Sequence, residues 1–300
     1  MSMVSIITPT CNRHDLLDNA LSSIAAQTFQ DYELIIINDG GKSISNIIRR
    51  WADKINIKSI DLVERQGPSV ARNRGIAISE GKYLSFLDDD DIYLPNHLGD
   101  LVEALERGKS DFVYSGAIIS PERLTNLPSN FDQCVIMSNP FNSSFLYVMC
   151  YMPVASIACK NFKYNGYQFN EQLQFCEDWE MWLHLCKEGY VFEHVPDISA
   201  VYHRIPVSNS LSFDGSSTAK AYENVNRAWK KVVDLHPIDN SLVESYRGYM
   251  IQFHRACIEK LERNEQLGHF SFENFTKFLL GQFNNGNIID NLSDMLKELL

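Results

Sequence analysis

Four consecutive carboxylates, Asp88-Asp89-Asp90-Asp91, follow the short apolar and aromatic run Tyr83-Leu84-Ser85-Phe86-Leu87. That run has the composition of a buried strand, which puts the carboxylates at its end. Like charges packed this closely repel one another, so the cluster calls for a cation. Carboxylate oxygens are hard donors suited to Mg²⁺ or Mn²⁺, ions that commonly complete their shells with substrate phosphates. Alternation along an extended chain would turn Asp88 and Asp90 to one side and Asp89 to the other. Taken alone, the run is equally compatible with an acidic, solvated loop.

The elements that must position these aspartates alternate in kind. Residues 4–10 read as a strand ending in Thr8-Pro9-Thr10, and Cys11-Asn12-Arg13 turns into a helix with Leu16, Leu17, Ala20, Leu21, Ile24 and Ala25 at helical spacing. Residues 32–37 are almost continuously apolar, as a parallel strand covered on both faces should be. They stop at Asn38-Asp39-Gly40-Gly41, a polar turn. A helix through Ile47, Ile48 and Trp51 and a strand over 57–63 follow. Gly67-Pro68 then opens a helix over 69–79 that carries Arg72 and Asn73 in its first turn, where free N–H groups favour anions. Strand, helix and strand in this succession imply a parallel, doubly wound sheet, which binds ligands beyond the carboxyl ends of its strands. Thr8-Pro9-Thr10, Asp39 and Asp88–Asp91 all lie at such ends, so they are expected to form one site.

The second half is less regular. Residues 111–114, 154–159 and 191–202 read as strands, and 120–145, with Pro121, Pro128 and Pro140, reads as a long loop or lid. Glu177-Asp178-Trp179 opens a helix carrying Met181, Trp182, Leu183 and Leu185 and ending at Gly189. Helical patterns over 218–235 and 242–267 and shorter pieces to Leu300 form a tail without internal repeats.

With 45% hydrophobic and 22% charged residues in 300, the chain has the make-up of a soluble globular protein. A net charge of −11 argues against nucleic acid and against adsorption to anionic lipid by charge alone. Seven cysteines without a Cys-x-x-Cys pair suit reduced thiols rather than structural zinc. The first residues enter a strand without a basic leader, and the most apolar later segment, 145–159, is too short to span a bilayer and contains Pro153. A cytoplasmic location is expected, with peripheral contact at the inner membrane face, or a homodimer, through the C-terminal helices as open options.

Five sequence words in order resemble the family 2 nucleotide-sugar glycosyltransferases over roughly residues 3–210: Ser5 to Arg13, Ile37-Asn38-Asp39-Gly40, Gly67 to Gly75, Phe86 to Asp91, and Glu177-Asp178-Trp179. The resemblance implies an α/β, GT-A-like (Rossmann-like) fold, a mainly parallel sheet flanked by helices, with a helical C-terminal extension. It implies a glycosyltransferase domain over 1–212, with a nucleotide-binding half (1–115) and an acceptor half (116–212), and an extension over 213–300. Thr8, Pro9, Asn12 or Arg13, and Asp39 would hold the nucleotide base, with Thr10 also a nucleotide contact, and a carboxylate at Asp39 suits the ring N–H of uracil. Gly67, Arg72 and Asn73, with Asp88 and Asp89, would complete nucleotide binding. Asp90 would hold Mn²⁺ or Mg²⁺, with His203 as a further candidate ligand in a closing loop that runs through Arg204 to Ser208-Asn209-Ser210. Asp178 would be the catalytic base, Glu177 its secondary, and Trp179 a floor for the acceptor sugar, while Trp182 suits the core. The implied reaction is metal-dependent, inverting transfer of a sugar from a nucleoside diphosphate sugar, a UDP-sugar first, to a hydroxyl of a glycan, lipid-linked or protein-linked acceptor.

Two other readings compete. A phosphatase of the haloacid dehalogenase type also places Asp-x-Asp after a buried strand, but on a strand near the N-terminus, and Ile92 stands where it carries Thr or Val. A non-catalytic nucleotide-sugar binder or scaffold of a glycan assembly complex would keep the fold without turnover. An EF-hand loop fails because Tyr93 replaces its required glycine.

Overall fold

Why these residues make a sheet covered on both faces is clearest at residues 32–38. In the computed structural model, which describes residues 2–128, 130–205, 218–268 and 270–300, every residue of strand β2 (Tyr32–Asn38) is buried. Leu34 and Ile36 point to one side and Ile35 and Ile37 to the other, as the two-residue period of a strand requires. The first pair joins Leu17, Leu21 and Ile24 of α1 (His14–Ala25) and Leu98, Leu101 and Leu105 of α4 (His97–Glu106). The second packs on Ala71 of α3 (Pro68–Ile78).

The first of two compact units comprises Met1–Phe141 and Met152–His203. In it, β1 (Val4–Thr10) pairs in parallel with β2 and with β4 (Tyr83–Phe86), and β2 pairs in parallel with β3 (Ile57–Asp61) beyond α2 (Ser45–Trp51). Past β4 the sheet changes character. β8 (Ile157–Lys160) is inserted antiparallel between β4 and β6 (Phe112–Ser120), β9 (Phe192–His203) runs parallel to β6, and β5 (Ile92–Tyr93) and β7 (Val135–Met137) pair antiparallel with β9 and β6. The described strand order is β3-β2-β1-β4-β8-β6-β9-β5, with β7 on β6. The sheet is therefore mixed, and the loop expected over 120–145 contains β7 and the short helix α5 (Ser143–Leu146). Helix α6 (Glu177–Lys187) buries Trp179, Trp182 and Leu183 at positions i, i+3 and i+4.

The second unit comprises Asn142–Tyr151 and Arg204–Leu300. Among the described residues it holds α5 and four further helices, α7 (Ala219–Leu235), α8 (Ser241–Glu262), α9 (Ser271–Asn284) and α10 (Leu292–Leu299). The segment 142–151 joins this unit through specific contacts that no single boundary near residue 212 anticipates. Trp229 Nε1 donates to the Val148 carbonyl (3.0 Å), Arg247 Nε donates to the Tyr147 carbonyl (3.0 Å), and Phe145 meets Phe283 edge-on. Among the described residues, no helix is long and apolar enough to cross a membrane.

Candidate active site

Strand directions decide which polar residues meet. β1, β2 and β4 are parallel, β8 opposes both β4 and β6, and β9 follows β6, so β4, β6 and β9 all run one way. Thr10, Asp39, Asp88, Ser120 and His203 thus stand at one edge of the first unit's sheet, the carboxyl edge at which α/β folds bind ligands.

The aspartates do not alternate as an extended chain would. β4 ends at Phe86 and the chain turns over Asp89 and Asp90, so both reach the same guanidinium. Arg13 Nη1 donates to Asp89 Oδ1 (3.1 Å) and Asp90 Oδ2 (2.9 Å), and Thr10 Oγ1 donates to Asp89 Oδ2 (2.6 Å). Arg13 is therefore occupied with carboxylates rather than turned wholly to a base. Asp91 Oδ1 accepts from the backbone N–H of His203 (2.8 Å), while its Oδ2 is buried with no hydrogen-bond partner.

Arg72 is the second cation of the site. It lies beyond the first turn of α3, which begins at Pro68, and its side chain is 3% exposed. Its Nη2 donates to Asp88 Oδ1 (2.7 Å) and its Nη1 to Glu177 Oε1 (2.6 Å), so one guanidinium joins α3, the aspartate turn and the start of α6. Burial opposes its charge, but Asp88 and Glu177 hold it firmly protonated. Asp178 is half-buried, and its Oδ1 accepts from the N–H of Trp179 (2.7 Å). Burial and then the charge of Glu177 push its carboxyl up to about 7, with Arg72 opposing. Cys176, just before this pair, sits at φ 60°, a conformation costly for a residue with a Cβ, and so fixes where α6 begins.

Of six carboxylates here, Asp88 and Glu177 pair with Arg72 and Asp89 and Asp90 with Arg13, and Asp91 and Asp178 add further negative charge. Burial and Asp90 push Asp89 up to about 7; burial and Asp88 raise Asp90; burial and Asp90 raise Asp91 well above the carboxylate range. This charge imbalance and the orphaned Asp91 oxygen fit a bound hard cation. No three His, Cys, Asp or Glu side chains among the described residues are grouped to hold one unaided, so such an ion would take part of its shell from a substrate.

Other expected residues fall differently. Asp39 Oδ1 and Oδ2 accept from the backbone N–H groups of Gln66 (2.7 Å) and Gly67 (2.8 Å), tying the end of β2 to the entry of α3. Asn12, at φ 58°, is exposed beside it and accepts from the N–H of Lys42 (2.8 Å); Pro9 is half-buried. Thr8 is wholly buried within β1 and is not presented to a ligand. Asn73 is a clamp rather than a nucleotide contact: its amide donates to the Phe169 carbonyl (2.9 Å) and Glu171 (3.1 Å) and accepts from the Phe169 N–H (2.8 Å). Trp179 is 2% exposed and cannot floor an acceptor, because it lies on the stripe that α6 buries.

His203 is not placed as a metal ligand. Its Nδ1 faces the Asp90 carbonyl (2.6 Å) and must donate to it, so its Nε2 is the acceptor for the Leu124 N–H (3.0 Å), and both ring nitrogens are spent. Arg204 pairs with Glu273 within the second unit. Ser208, Asn209 and Ser210 lie outside the described residues. The two carboxylate–guanidinium knots were not legible in the sequence: Arg72 and Glu177 are 105 positions apart, and only the fold brings them together.

A family model described as Glycosyl transferase family 2 matches residues 5–158, just over half the chain. The uncharacterized glycosyltransferase YwdF of Bacillus subtilis is 28% identical over 222 residues, covering 73% of this chain and 81% of that protein. An uncharacterized glycosyltransferase of Rickettsia felis is 30% identical, and there the match covers 70% of this chain but 36% of the relative. The GalNAc(5)-diNAcBac-PP-undecaprenol beta-1,3-glucosyltransferase of Campylobacter jejuni is 29% identical, with 65% and 63% covered. Among solved structures, S. aureus TarS residues 1–349 in complex with UDP-GlcNAc superposes with a TM-score of 0.61 at 19% identity, covering 91% of this chain and 76% of that one. The mannosyltransferase PcManGT of Pyrobaculum calidifontis, in complex with GDP-Man and Mn²⁺, gives 0.59 at 13% identity, with 99% and 79% covered. These likenesses establish the GT-A fold.

Proposed function

This chain belongs to glycosyl transferase family 2, and from that premise we propose that it transfers a hexose-type sugar from a UDP-sugar to an acceptor hydroxyl, with inversion at the anomeric carbon. The observation that carries the reading is Asp178, a half-buried carboxylate held near neutrality beside an aspartate cluster short of positive charge. A base with that affinity for protons is suited to deprotonating a hydroxyl in the transition state. The family assignment gives no support to a phosphatase.

In this reading Asp178 takes the acceptor's proton as the acceptor oxygen forms its bond to the anomeric carbon. The bond from that carbon to the diphosphate oxygen breaks on the opposite face, and the nucleoside diphosphate leaves with the electron pair. Glu177 holds Arg72, and Arg72 holds Asp88, so the base and the aspartate turn keep one geometry. Asp90, with Asp88, would hold Mn²⁺ or Mg²⁺, whose bound charge supplies electrostatic stabilisation to the departing diphosphate. Asp39, Asn12, Pro9 and Gly67 form the base end, where a uracil N–H would meet a remaining lone pair of Asp39. The UDP-GlcNAc complex of TarS supports the choice of nucleotide, the GDP-Man complex of PcManGT is its counterexample, and the undecaprenol-linked substrate in the name of the Campylobacter relative supports a lipid-linked glycan acceptor.

The test is release of free nucleotide from a panel of UDP-, dTDP- and GDP-sugars, with Mn²⁺, Mg²⁺ or EDTA, by the full chain and by Asp90→Ala and Asp178→Asn. One donor is expected to turn over only with a divalent ion, and Asp178→Asn is expected to lose about 10²- to 10⁴-fold in rate. Turnover unaffected by either substitution would refute the assignment.

A further inference from the structure

The loop between β6 and β7 lines a cavity of about 180 Å³, open to solvent on one side, that lies outside the groups used above. Its lining is of two kinds: Pro121, Leu124 and Pro128 are apolar, while Glu122, Asn130 and Asp132 carry oxygen and amide groups. The loop is not loose at this point. Leu124 and Cys134 pack on the buried cluster of Ile92, Leu94, Ile118 and Val201, so the cavity wall rests on β5, β6 and β9.

One chain of hydrogen bonds connects this wall to the aspartate turn. The Leu124 N–H donates to His203 Nε2, and His203 Nδ1 donates to the carbonyl of Asp90. The charge of Arg123 is felt at Asp90 and at His203. Strand order then fixes the side on which the cavity stands. From β2, which carries Asp39, the order runs β1, β4, β8, β6. β6 is two strands beyond the aspartates of β4 and, at about 4.8 Å per strand, roughly 19 Å from β2. The cavity is on the far side of Asp90 from the base end.

We infer that this cavity is the subsite for the sugar ring of the acceptor. The proposal rests on the glycosyl-transfer reading and deepens it. Carboxylate and amide groups above an apolar floor match a ring whose edges are hydroxyls and whose faces are C–H. The volume is below the ~300 Å³ at which sites for drug-sized molecules begin, which suits one ring rather than an extended oligosaccharide. A donor sugar would have to remain beside its diphosphate near Asp88 and Asp90, whereas an acceptor can enter from the far side. His203 is then a positioning residue, fixing the cavity wall relative to the aspartate turn.

The experiment measures binding of p-nitrophenyl glycosides of glucose, galactose, mannose, GlcNAc and GalNAc to the full chain by saturation-transfer NMR, with UDP and Mn²⁺ present. Glu122→Gln, Asp132→Asn and the cavity-filling Cys134→Phe are compared with wild type, and UDP affinity is measured separately by calorimetry. At least one glycoside is expected to bind, and each polar substitution to weaken it roughly tenfold, the loss of one hydrogen bond to a charged group. Cys134→Phe is expected to abolish it while UDP affinity stays within about twofold. Equal glycoside binding in all variants, or no glycoside binding by a protein that binds UDP, overturns the acceptor subsite. A loss of nucleotide-sugar affinity with unchanged glycoside binding would instead put the donor sugar there. Failure of UDP itself to bind would refute the glycosyl-transfer reading, and with it the subsite.

Discussion

Glu177 and Asp178 are neighbours with different partners, and the difference sets their roles. Glu177 accepts from Arg72, whose other arm is on Asp88, so the charge of Arg72 is shared before it reaches Asp178. Asp178 is left with burial and the negative charge of Glu177 as its main influences, and both favour the protonated form. A base must be ionised to act, so its working fraction rises with pH. With a carboxyl pushed up to about 7, the rate at saturating donor and acceptor is expected to fall about tenfold per pH unit below that value. Glu177→Gln keeps a hydrogen-bond acceptor for Arg72 and removes the negative neighbour, so the acidic limb of kcat against pH should move to lower pH. An unmoved limb in that variant would mean that Glu177 does not tune the base. A limb below pH 5 in wild type would mean that Asp178 is an ordinary carboxylate and not the proposed base.

At the scale of elements, close approach of helix and strand holds the base end together. A methyl group at Gly75 of α3 would stand 2.6 Å from Ile7 Cγ2 of β1, well inside van der Waals contact. Gly75→Ala is therefore expected to destabilise the chain by about 1–3 kcal/mol, as overpacking does, read as a lower urea midpoint with unchanged slope. In an Ile7→Ala background, which lacks both Cγ atoms of that side chain, Gly75→Ala should cost less than in wild type, a coupling that a helix-propensity effect would not show. The same packing explains what the sequence reveals. β2 was legible because a strand covered on both faces is apolar at every position, and α1 because its buried residues recur at helical spacing. The insertion of β8 between β4 and β6 was not, since strand direction and partner are chosen by residues far apart in the chain, Tyr114 with Ile157 on one side and Tyr83 with Lys160 on the other, helped by the Ser85 hydroxyl donating to the Ile157 carbonyl. β7 was hidden among prolines and asparagines that resemble a loop, and α5 belongs to a unit whose other residues begin at Arg204. Of the site, the aspartate cluster was legible as a concentration of charge. Its counterions Arg13 and Arg72 were visible only as nucleotide contacts, because pairing across 76 positions for Arg13 with Asp89 and 16 for Arg72 with Asp88 leaves no local signal.

Across the whole molecule, two sets of buried groups bend stability with pH in opposite senses. In the first unit, Asp89 and Asp178 are pushed up to about 7, so between pH ~4 and ~7 the folded chain binds protons that the unfolded chain does not, and stability falls as pH rises. In the second unit, His254 is fully buried beside Tyr222, Trp229 and Phe253, with neither ring nitrogen hydrogen-bonded. Burial, helped by Lys230, lowers its proton affinity to about 3, so below its unfolded value of about 6.5 only the unfolded chain takes the proton, and stability falls with acid. The carboxylate effect and the histidine effect oppose each other over the same range, which makes a simple comparison of melting temperature at two pH values uninformative. A double difference separates them. His254→Leu removes only the histidine, so its melting temperature relative to wild type should rise between pH 7.5 and pH 5.5. One pH unit below 6.5 corresponds to about 1.4 kcal/mol, or a few degrees for a chain of this size. Packing differences caused by leucine are present at both pH values and cancel. No change in the difference between the two pH values would mean that His254 takes a proton in the folded protein as readily as in the unfolded one.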